Sequence, residues 1–119
     1  MATKQYFYGL GRRKSASASA RLYDGKGEIT INGKTASDFL SGNAELVAKL
    51  TDPLALVDKQ GVYDITVLAK GGGVSGQVDA ICLAIAKALA SINDDLRATL
   101  SKAGYLRRDS REVERKKYG

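Results

Sequence analysis

The chain has 119 residues, the length of one domain that can bury about two-thirds of its unfolded surface. It contains no histidine, which excludes Ser-His-Asp and Cys-His catalysis and zinc sites built from histidine. A single cysteine cannot form an internal disulfide, and no apolar run is long enough to span a membrane. Most enzyme classes that depend on histidine are therefore excluded, although carboxylate or lysine chemistry stays possible, and we expect no secretory or organelle signal at the N-terminus.

The net charge of +6 is distributed unevenly along the chain. Residues 1–34 carry a charge of +5, whereas residues 35–60 carry −2. Residues 61–103 are neutral overall, and residues 104–119 carry +3. A nearly neutral centre between two basic ends is typical of a domain that presents cationic surface to a polyanion. A charge of this size also occurs on small domains simply because it keeps them soluble.

The first third of the chain predicts strands. Residues 4–10 form an aromatic-rich strand candidate, followed by a turn that displays three adjacent cations. Residues 15–23 alternate with period two, which indicates one buried and one solvated face. The buried face is expected to contain Ala16, Ala18, Ala20 and Leu22. A turn at residues 24–27 and a short strand around Ile29 and Ile31 follow.

The rest of the chain mixes helices with one strand. Residues 35–57 predict one or two short helices, broken before Pro53. Residues 62–69 predict the clearest strand, with Tyr63, Ile65, Val67 and Ala69 on one face. Apolar residues at helical spacing then run from Val74 to Ile92. Asn93 is expected to cap a last helix that ends near Gly104. We predict a globular domain over residues 1–104 and a basic arm over residues 105–119.

A glycine-rich loop lies between the clearest strand and the longest helix. The run Gly71-Gly72-Gly73-Val74-Ser75-Gly76 fits the dinucleotide-binding spelling and, with Val78, the kinase glycine-loop spelling. A dinucleotide fold would need a further parallel strand after this helix, and a P-loop would need lysine where Gln77 stands. Two interpretations remain, a tight turn without ligand and a backbone that binds an anion such as an RNA phosphate.

The remaining candidates for anion contacts are cations. Arginine suits phosphate because its planar guanidinium donates two parallel hydrogen bonds. The candidates in the first third are Arg12, Arg13, Lys14 and Arg21, and those in the arm are Arg107, Arg108, Arg111, Arg115, Lys116 and Lys117. Tyr6 and Tyr8 could stack on bases, although a core or strand-pairing role is the simpler interpretation. Cys82 falls in the apolar stripe and is expected to be a small buried residue.

Three stretches of the chain resemble one known family. They are residues 9–16, residues 71–89 with their glycine-glutamine run, and residues 94–119 with the closing Glu-Arg-Lys-Lys-Tyr-Gly. Together they resemble the bacterial form of the universal small-subunit ribosomal protein nine family. The resemblance implies an α+β two-layer sandwich with a mostly four-stranded sheet, helices packed on one face, a left-handed βαβ crossover and an extended basic C-terminal arm.

The resemblance also implies function and partners. It implies a non-catalytic structural constituent of the small ribosomal subunit in the cytoplasm, without metal or cofactor, located in the subunit head near the peptidyl-site tRNA. The expected partners are ribosomal RNA and neighbouring ribosomal proteins, with no membrane. RNA contacts are expected at the cations named above and at the backbone of Gly71, Gly72 and Gly73 near Gln77.

The chain departs from the family pattern in two places. Its second strand has Ser17, Ser19 and Ala20 where the family is richer in valine and arginine, and the chain stops at Gly119, before the basic tail that reaches tRNA. We therefore expect ribosomal RNA binding without direct tRNA contact. Two alternatives stay open, a small nucleotide-binding transferase that uses the glycine loop and a nonspecific DNA-binding protein.

Overall fold

The computed structural model describes residues 6–13, 15–59 and 61–106. The described part of the chain contains five strands and four helices. In chain order these are β1 (Phe7–Arg13), β2 (Ala16–Asp24), β3 (Ile29–Ile31), β4 (Lys34–Thr35), α1 (Ala36–Phe39), α2 (Ala44–Leu56), β5 (Tyr63–Lys70), α3 (Val74–Ala90) and α4 (Asp94–Lys102).

The strands form one mixed sheet in the order β1-β2-β5-β3-β4. All neighbours are antiparallel except β3 and β5, which are parallel. The expected α+β class is confirmed. The sheet has five strands because the two-residue strand β4 adds to the four that the expectation of a mostly four-stranded sheet anticipated.

The two faces of the sheet differ sharply in burial. One face, which we call the helix face, packs against α3 and contributes Ala16, Ala18, Ala20 and Leu22 of β2 and Tyr63, Ile65, Val67 and Ala69 of β5 to the core. The alternation predicted for both strands is confirmed. The opposite face, which we call the open face, carries the intervening residues of β1, β2 and β5, most of them exposed or half-buried.

Two glycines of β1 allow α3 to approach the sheet closely. Gly9 and Gly11 lie on the helix face, where the register pairs them with Ala20 and Ala18. A Cβ at Gly9 would overlap the carbonyl oxygen of Ala84, and a Cβ at Gly11 would overlap that of Ala80. The helix backbone therefore occupies the space that side chains would need, and glycine is required by packing.

Strand β1 is longer than the sequence predicted. Residues 11–13, which were expected to form the turn, continue the strand, and Arg13 pairs with Ala16 of β2. The turn between β1 and β2 is shorter than predicted, because the antiparallel pairing continues up to Arg13 and Ala16. This correction changes the direction of each cation, since successive strand residues point to opposite faces.

Helix α2 continues through Pro53, contrary to the expectation that it would end before this residue. Proline has no N–H, so the carbonyl of Lys49, four residues earlier, loses its helical partner. The thiol of Cys82 on α3 donates to that carbonyl at 3.2 Å. Cys82 is buried as expected, and it also satisfies the backbone group that Pro53 leaves open.

The C-terminal end of the described chain follows the predicted capping signals. The Asn93 side chain accepts from the Leu96 amide at 2.9 Å, and Asp94 and Asp95 stand in the first turn of α4. Gly104 has a positive φ of 89° after the helix end. Tyr105 and Leu106 are half-buried against the core. Within the described residues, no helix has both the length and the apolar character needed to cross a bilayer.

Candidate nucleic-acid interface

The fold brings two of the predicted sites together at one end of the sheet. The β1–β2 turn packs against the glycine loop, residues 71–73, because β5 ends beside the start of β2. Gly71 and Gly72 have φ values of +80° and +60°, and a Cβ at Gly71 would overlap the carbonyl oxygen of Ser15. A Cβ at Gly72 would lie 3.1 Å from that of Ala16. Internal packing thus explains two of the three glycines.

Gln77 holds the glycine loop from within α3. Its side-chain amide donates to the Gly71 carbonyl at 2.9 Å, and its backbone N–H donates to the Gly73 carbonyl at 2.9 Å. Gly73 itself is extended, with φ −96° and ψ 179°, and no described atom lies within 4 Å of the Cβ it lacks. The loop therefore presents backbone at the N-terminus of a 17-residue helix, the end that favours an anion.

The three-cation run divides between the two faces of the sheet. Arg12 points to the open face and is exposed, while Arg13 points to the helix face. Lys14 lies outside the described residues. Successive side chains of a strand point to opposite faces, so the two neighbouring arginines have different surroundings.

Arg13 is held by an ion-pair cluster on the helix side. Its Nε lies 3.4 Å from Asp79 Oδ2, and Lys49 Nζ lies 3.0 Å from Asp79 Oδ1. The hydrogen bond and the charge of Asp79 raise the pKa of Lys49. The cluster connects β1, α3 and α2, and the charge of Arg13 is partly neutralised there.

Sequence reasoning overlooked a cation at the same end of the sheet. Lys70 is the last residue of β5 and lies on the open face, where the register places Arg12, Ser17 and Lys70 in one row across three strands. Neighbouring strands are about 4.8 Å apart, so the backbones of Arg12 and Lys70 lie about 10 Å apart. The signal was available, because Lys70 directly precedes the glycine loop on the polar side of the predicted strand.

Arg21 lies further along the open face between two tyrosines. Its guanidinium carbon is 5.3 Å from the ring centroid of Tyr6 and 5.9 Å from that of Tyr8. Tyr6 is 43% exposed and Tyr8 is 47% exposed. Their rings are part of the surface, so a core role is wrong. The strand-pairing role agrees with the structure, because Tyr8 pairs with Arg21 across β1 and β2 and the ring centroid of Tyr6 lies 5.3 Å from that of Tyr23.

A shallow cleft on the helix side carries two further cations. Lys87 of α3 and Arg97 of α4 line it together with Ala90 and Leu106. Leu106 is the last described residue, so the basic arm begins beside this cleft. The predicted contacts at Arg107, Arg108, Arg111, Arg115, Lys116 and Lys117 lie outside the described residues. Within the described part, no cluster of acidic or sulfur ligands could hold a metal ion.

The family model described as ribosomal protein S9/S16 matches residues 11–119. The chain belongs to the ribosomal protein S9/S16 family. A relative from Thermus thermophilus, named small ribosomal subunit protein uS9, is 48% identical over 115 residues, 97% of this chain and 89% of the relative. The protein of the same name from Maridesulfovibrio salexigens is 46% identical over 117 residues, 98% of this chain and 89% of that protein. The uS9c protein of Mesostigma viride is 46% identical over 113 residues, 95% and 82% of the two chains.

Membership in the S9/S16 family confirms the expected family and its structural, non-enzymatic role in the ribosome. This family assignment rules out the alternative of a small nucleotide-binding transferase. The fold agrees, because the helix after the glycine loop leads into α4 and no described strand follows it. The individual RNA contacts stay predictions, which the geometry of the described residues can now sharpen.

Proposed function

We propose that this structural protein of the small ribosomal subunit binds ribosomal RNA with the end of its sheet where the β1–β2 turn meets the glycine loop. We call this surface the hairpin end; its described residues are Arg12, Ser17, Lys70 and residues 71–73. The supporting observation is convergence, because two exposed cations and the N-terminus of α3 are brought together there.

The chemistry of the hairpin end suits a phosphate backbone. Arg12 and Lys70 supply positive charge, and the helix N-terminus adds backbone N–H donors. Arg13 contributes by holding the strand end against Asp79, so we assign it a positioning role before a contact role. Gln77 has the same kind of role, since its amide is bonded to Gly71.

The basic arm extends the proposed surface. Its six cations follow Leu106 in the sequence, and Leu106 lines the cleft that contains Lys87 and Arg97. We propose that the arm neutralises phosphates together with the body, that neighbouring ribosomal proteins of the subunit head are further partners, and that the β3-to-β5 crossover has the left-handed sense implied by the resemblance. Contact with peptidyl-site tRNA is not part of the proposal.

The salt dependence of binding tests the role of the hairpin end. We compare the wild-type chain with the double variant Arg12→Gln, Lys70→Gln, using a transcript of the small-subunit RNA head region. Each lost phosphate contact lowers the slope of log K against log salt by about 0.7 to 0.9, so we expect a decrease of about 1 to 2. A fourfold Arg→Ala change at Arg107, Arg108, Arg111 and Arg115 should lower the slope further.

A charge-matched variant separates location from net charge. Lys26→Gln, Lys102→Gln removes the same two charges from exposed positions away from the hairpin end and should leave the slope nearly unchanged. Equal effects of the two double variants would reduce the proposal to nonspecific attraction. Stronger binding to duplex DNA than to the RNA transcript would favour the DNA-binding alternative instead.

A further inference from the structure

The open face beyond the hairpin end carries an unusual combination of side chains. The register places Leu10, Ser19 and Leu68 in one row and Tyr8, Arg21 and Thr66 in the next. Leu10 is 40% exposed and Leu68 is 53% exposed, comparable with the two tyrosines. No described helix packs on this face, because α3 lies against the opposite one.

The charge of the open face is positive. Its positions on β1, β2 and β5 include three cations, Arg12, Arg21 and Lys70, and one acidic residue in the described part, Asp64. One carboxylate oxygen of Asp64 accepts from the N–H groups of residues 26, 27 and 28 at 2.9, 3.2 and 3.1 Å. Its charge is thus directed toward the β2–β3 loop, away from the row of cations.

We propose that the open face binds an unpaired RNA segment, with bases stacked on Tyr8 and Tyr6 and phosphates at Arg12, Arg21 and Lys70. This inference rests on the proposed function and adds that the RNA feature bound here is single-stranded. Exposed aromatic side chains on a sheet stack unpaired bases well because every base has a π-face. Bases inside a duplex are already stacked on each other and cannot reach a flat protein surface.

The position of Arg21 supports a base-stacking platform. Its guanidinium lies against one side of both tyrosine rings and helps to orient them, and the Tyr6 ring is held further by the ring of Tyr23, 5.3 Å away between centroids. Hydroxyl groups lie on the same face at Ser17 and Ser19 of β2 and at Thr66 of β5, and they can bond phosphate or ribose oxygens. A surface with three cations and aromatic rings fits RNA better than it fits an apolar protein surface.

A tryptophan reporter tests the stacking directly. The chain contains no tryptophan, so Tyr8→Trp introduces a unique fluorophore on the open face. We expect a twelve-nucleotide oligoadenylate to quench its fluorescence, and a twelve-base-pair RNA duplex to leave it nearly unchanged at equal phosphate concentration. Leu56→Trp provides the control, since Leu56 is 43% exposed on α2, which packs against α3.

Two substitutions of Tyr8 separate the contribution of its aromatic ring from that of the phosphate contacts. Tyr8→Leu should weaken oligoadenylate binding about tenfold, whereas Tyr8→Phe should bind nearly as the wild type does. The salt slope should stay unchanged in both, because no phosphate contact is lost. Quenching by the duplex equal to that by oligoadenylate, or equal affinities of the Leu and Phe variants, would overturn the inference.

The same experiments distinguish the two proposals. If the hairpin-end variants lower the salt slope on the RNA transcript while Tyr8→Trp is not quenched, the proposed function stands and the single-strand inference is wrong. If the hairpin-end variants have no effect while Tyr8→Trp is quenched by oligoadenylate alone, the open face stacks unpaired bases, whereas the site assigned to the hairpin end and the phosphate contacts at Arg12 and Lys70 are wrong.

Discussion

The two faces of this sheet belong to the same strands but carry opposite kinds of side chain. On the helix face, small residues let α3 approach until its backbone touches β1 at Gly9 and Gly11. On the open face, long cationic and aromatic side chains point outward from the alternate positions of the same strands. One strand residue such as Arg12 faces solvent, while the next one, Arg13, is tied to a helix.

The difference shows how a small domain can separate stability from binding. Burial on the helix face supplies the apolar contacts that stabilise the fold, since apolar surface removed from water is the main stabilising contribution. The open face contributes little burial and is available for a ligand. Substitutions on the two faces should therefore affect different measurements, and each prediction below tests that separation.

The largest expected effect is on the helix face. Gly9→Ala places a Cβ where the Ala84 carbonyl oxygen lies, so α3 must shift and the core must repack. We expect a loss of about 3 kcal/mol or more in the free energy of unfolding, measured by urea denaturation.

Gly73→Ala is the matched control for this substitution. Gly73 has a negative φ of −96°, and no described atom lies near the missing Cβ, so the change should cost less than about 0.5 kcal/mol. Similar losses in the two variants would show that the close approach of α3 to β1 does not carry the stability of the helix face.

Asp64 should be the exception on the open face. Its carboxylate accepts hydrogen bonds from three backbone N–H groups of the β2–β3 loop, and Asp64→Ala leaves those donors without this partner. We expect a loss of about 2 kcal/mol in the free energy of unfolding. Asp64→Asn keeps an acceptor oxygen and should lose about half as much. An Ala variant as stable as the wild type would contradict this role of the carboxylate.

Much of the helix face could be predicted from the sequence. Period-two alternation in residues 15–23 and 62–69 identified the buried side chains, because alternation is a local property of a strand. The Asn93 cap was equally local. The features that could not be predicted depend on contacts between distant residues. Pro53 stays inside α2, and the Lys49 carbonyl that it leaves without a helical partner accepts from Cys82 on another helix.

The candidate site was predicted only in part for a related reason. The basic run near Arg12 was identified, but its division between the faces depended on where β1 ends, and strand ends are poorly encoded locally. Lys70 was not recognised as a site residue because it comes near Arg12 only through the sheet, where both residues pair with Ser17 of β2. For Tyr8 a core or strand-pairing role was expected, and its exposure was not foreseen because aromatic residues in strands are usually buried on one side.

The pH dependence of stability tests the burial of Cys82, which lies where α3 packs against α2. Burial raises the pKa of the Cys82 thiol from its ordinary 9.0 to about 12, an effect partly opposed by Lys49. The unfolded chain can therefore ionise this thiol where the folded chain cannot, and stability falls as pH rises between about 9 and 12. We expect the wild type to lose about 2 kcal/mol more than Cys82→Ala between pH 8 and pH 10.5.

Two comparisons isolate this contribution. The raised pKa of Tyr63 lowers alkaline stability in both chains and cancels in the comparison. The pKa of Tyr105 is raised mainly by burial, with Cys82 as its last-named cause, so the difference between the chains reports Cys82 together with a smaller effect on Tyr105. At pH 7, Cys82→Ser keeps a donor for the Lys49 carbonyl and tests the hydrogen bond separately. Parallel pH profiles for wild type and Cys82→Ala would mean that the thiol ionises equally well in the folded protein.

The smallest expected effect is on the open face itself. Arg12→Gln, Lys70→Gln removes two exposed cations that lie across the sheet from each other with Ser17 between them. Because neither side chain is in the core, the free energy of unfolding should change by less than about 0.5 kcal/mol in urea, while RNA binding loses salt dependence. A loss of more than about 1 kcal/mol would mean that these cations stabilise the sheet, and the separation between the faces would fail where binding is proposed.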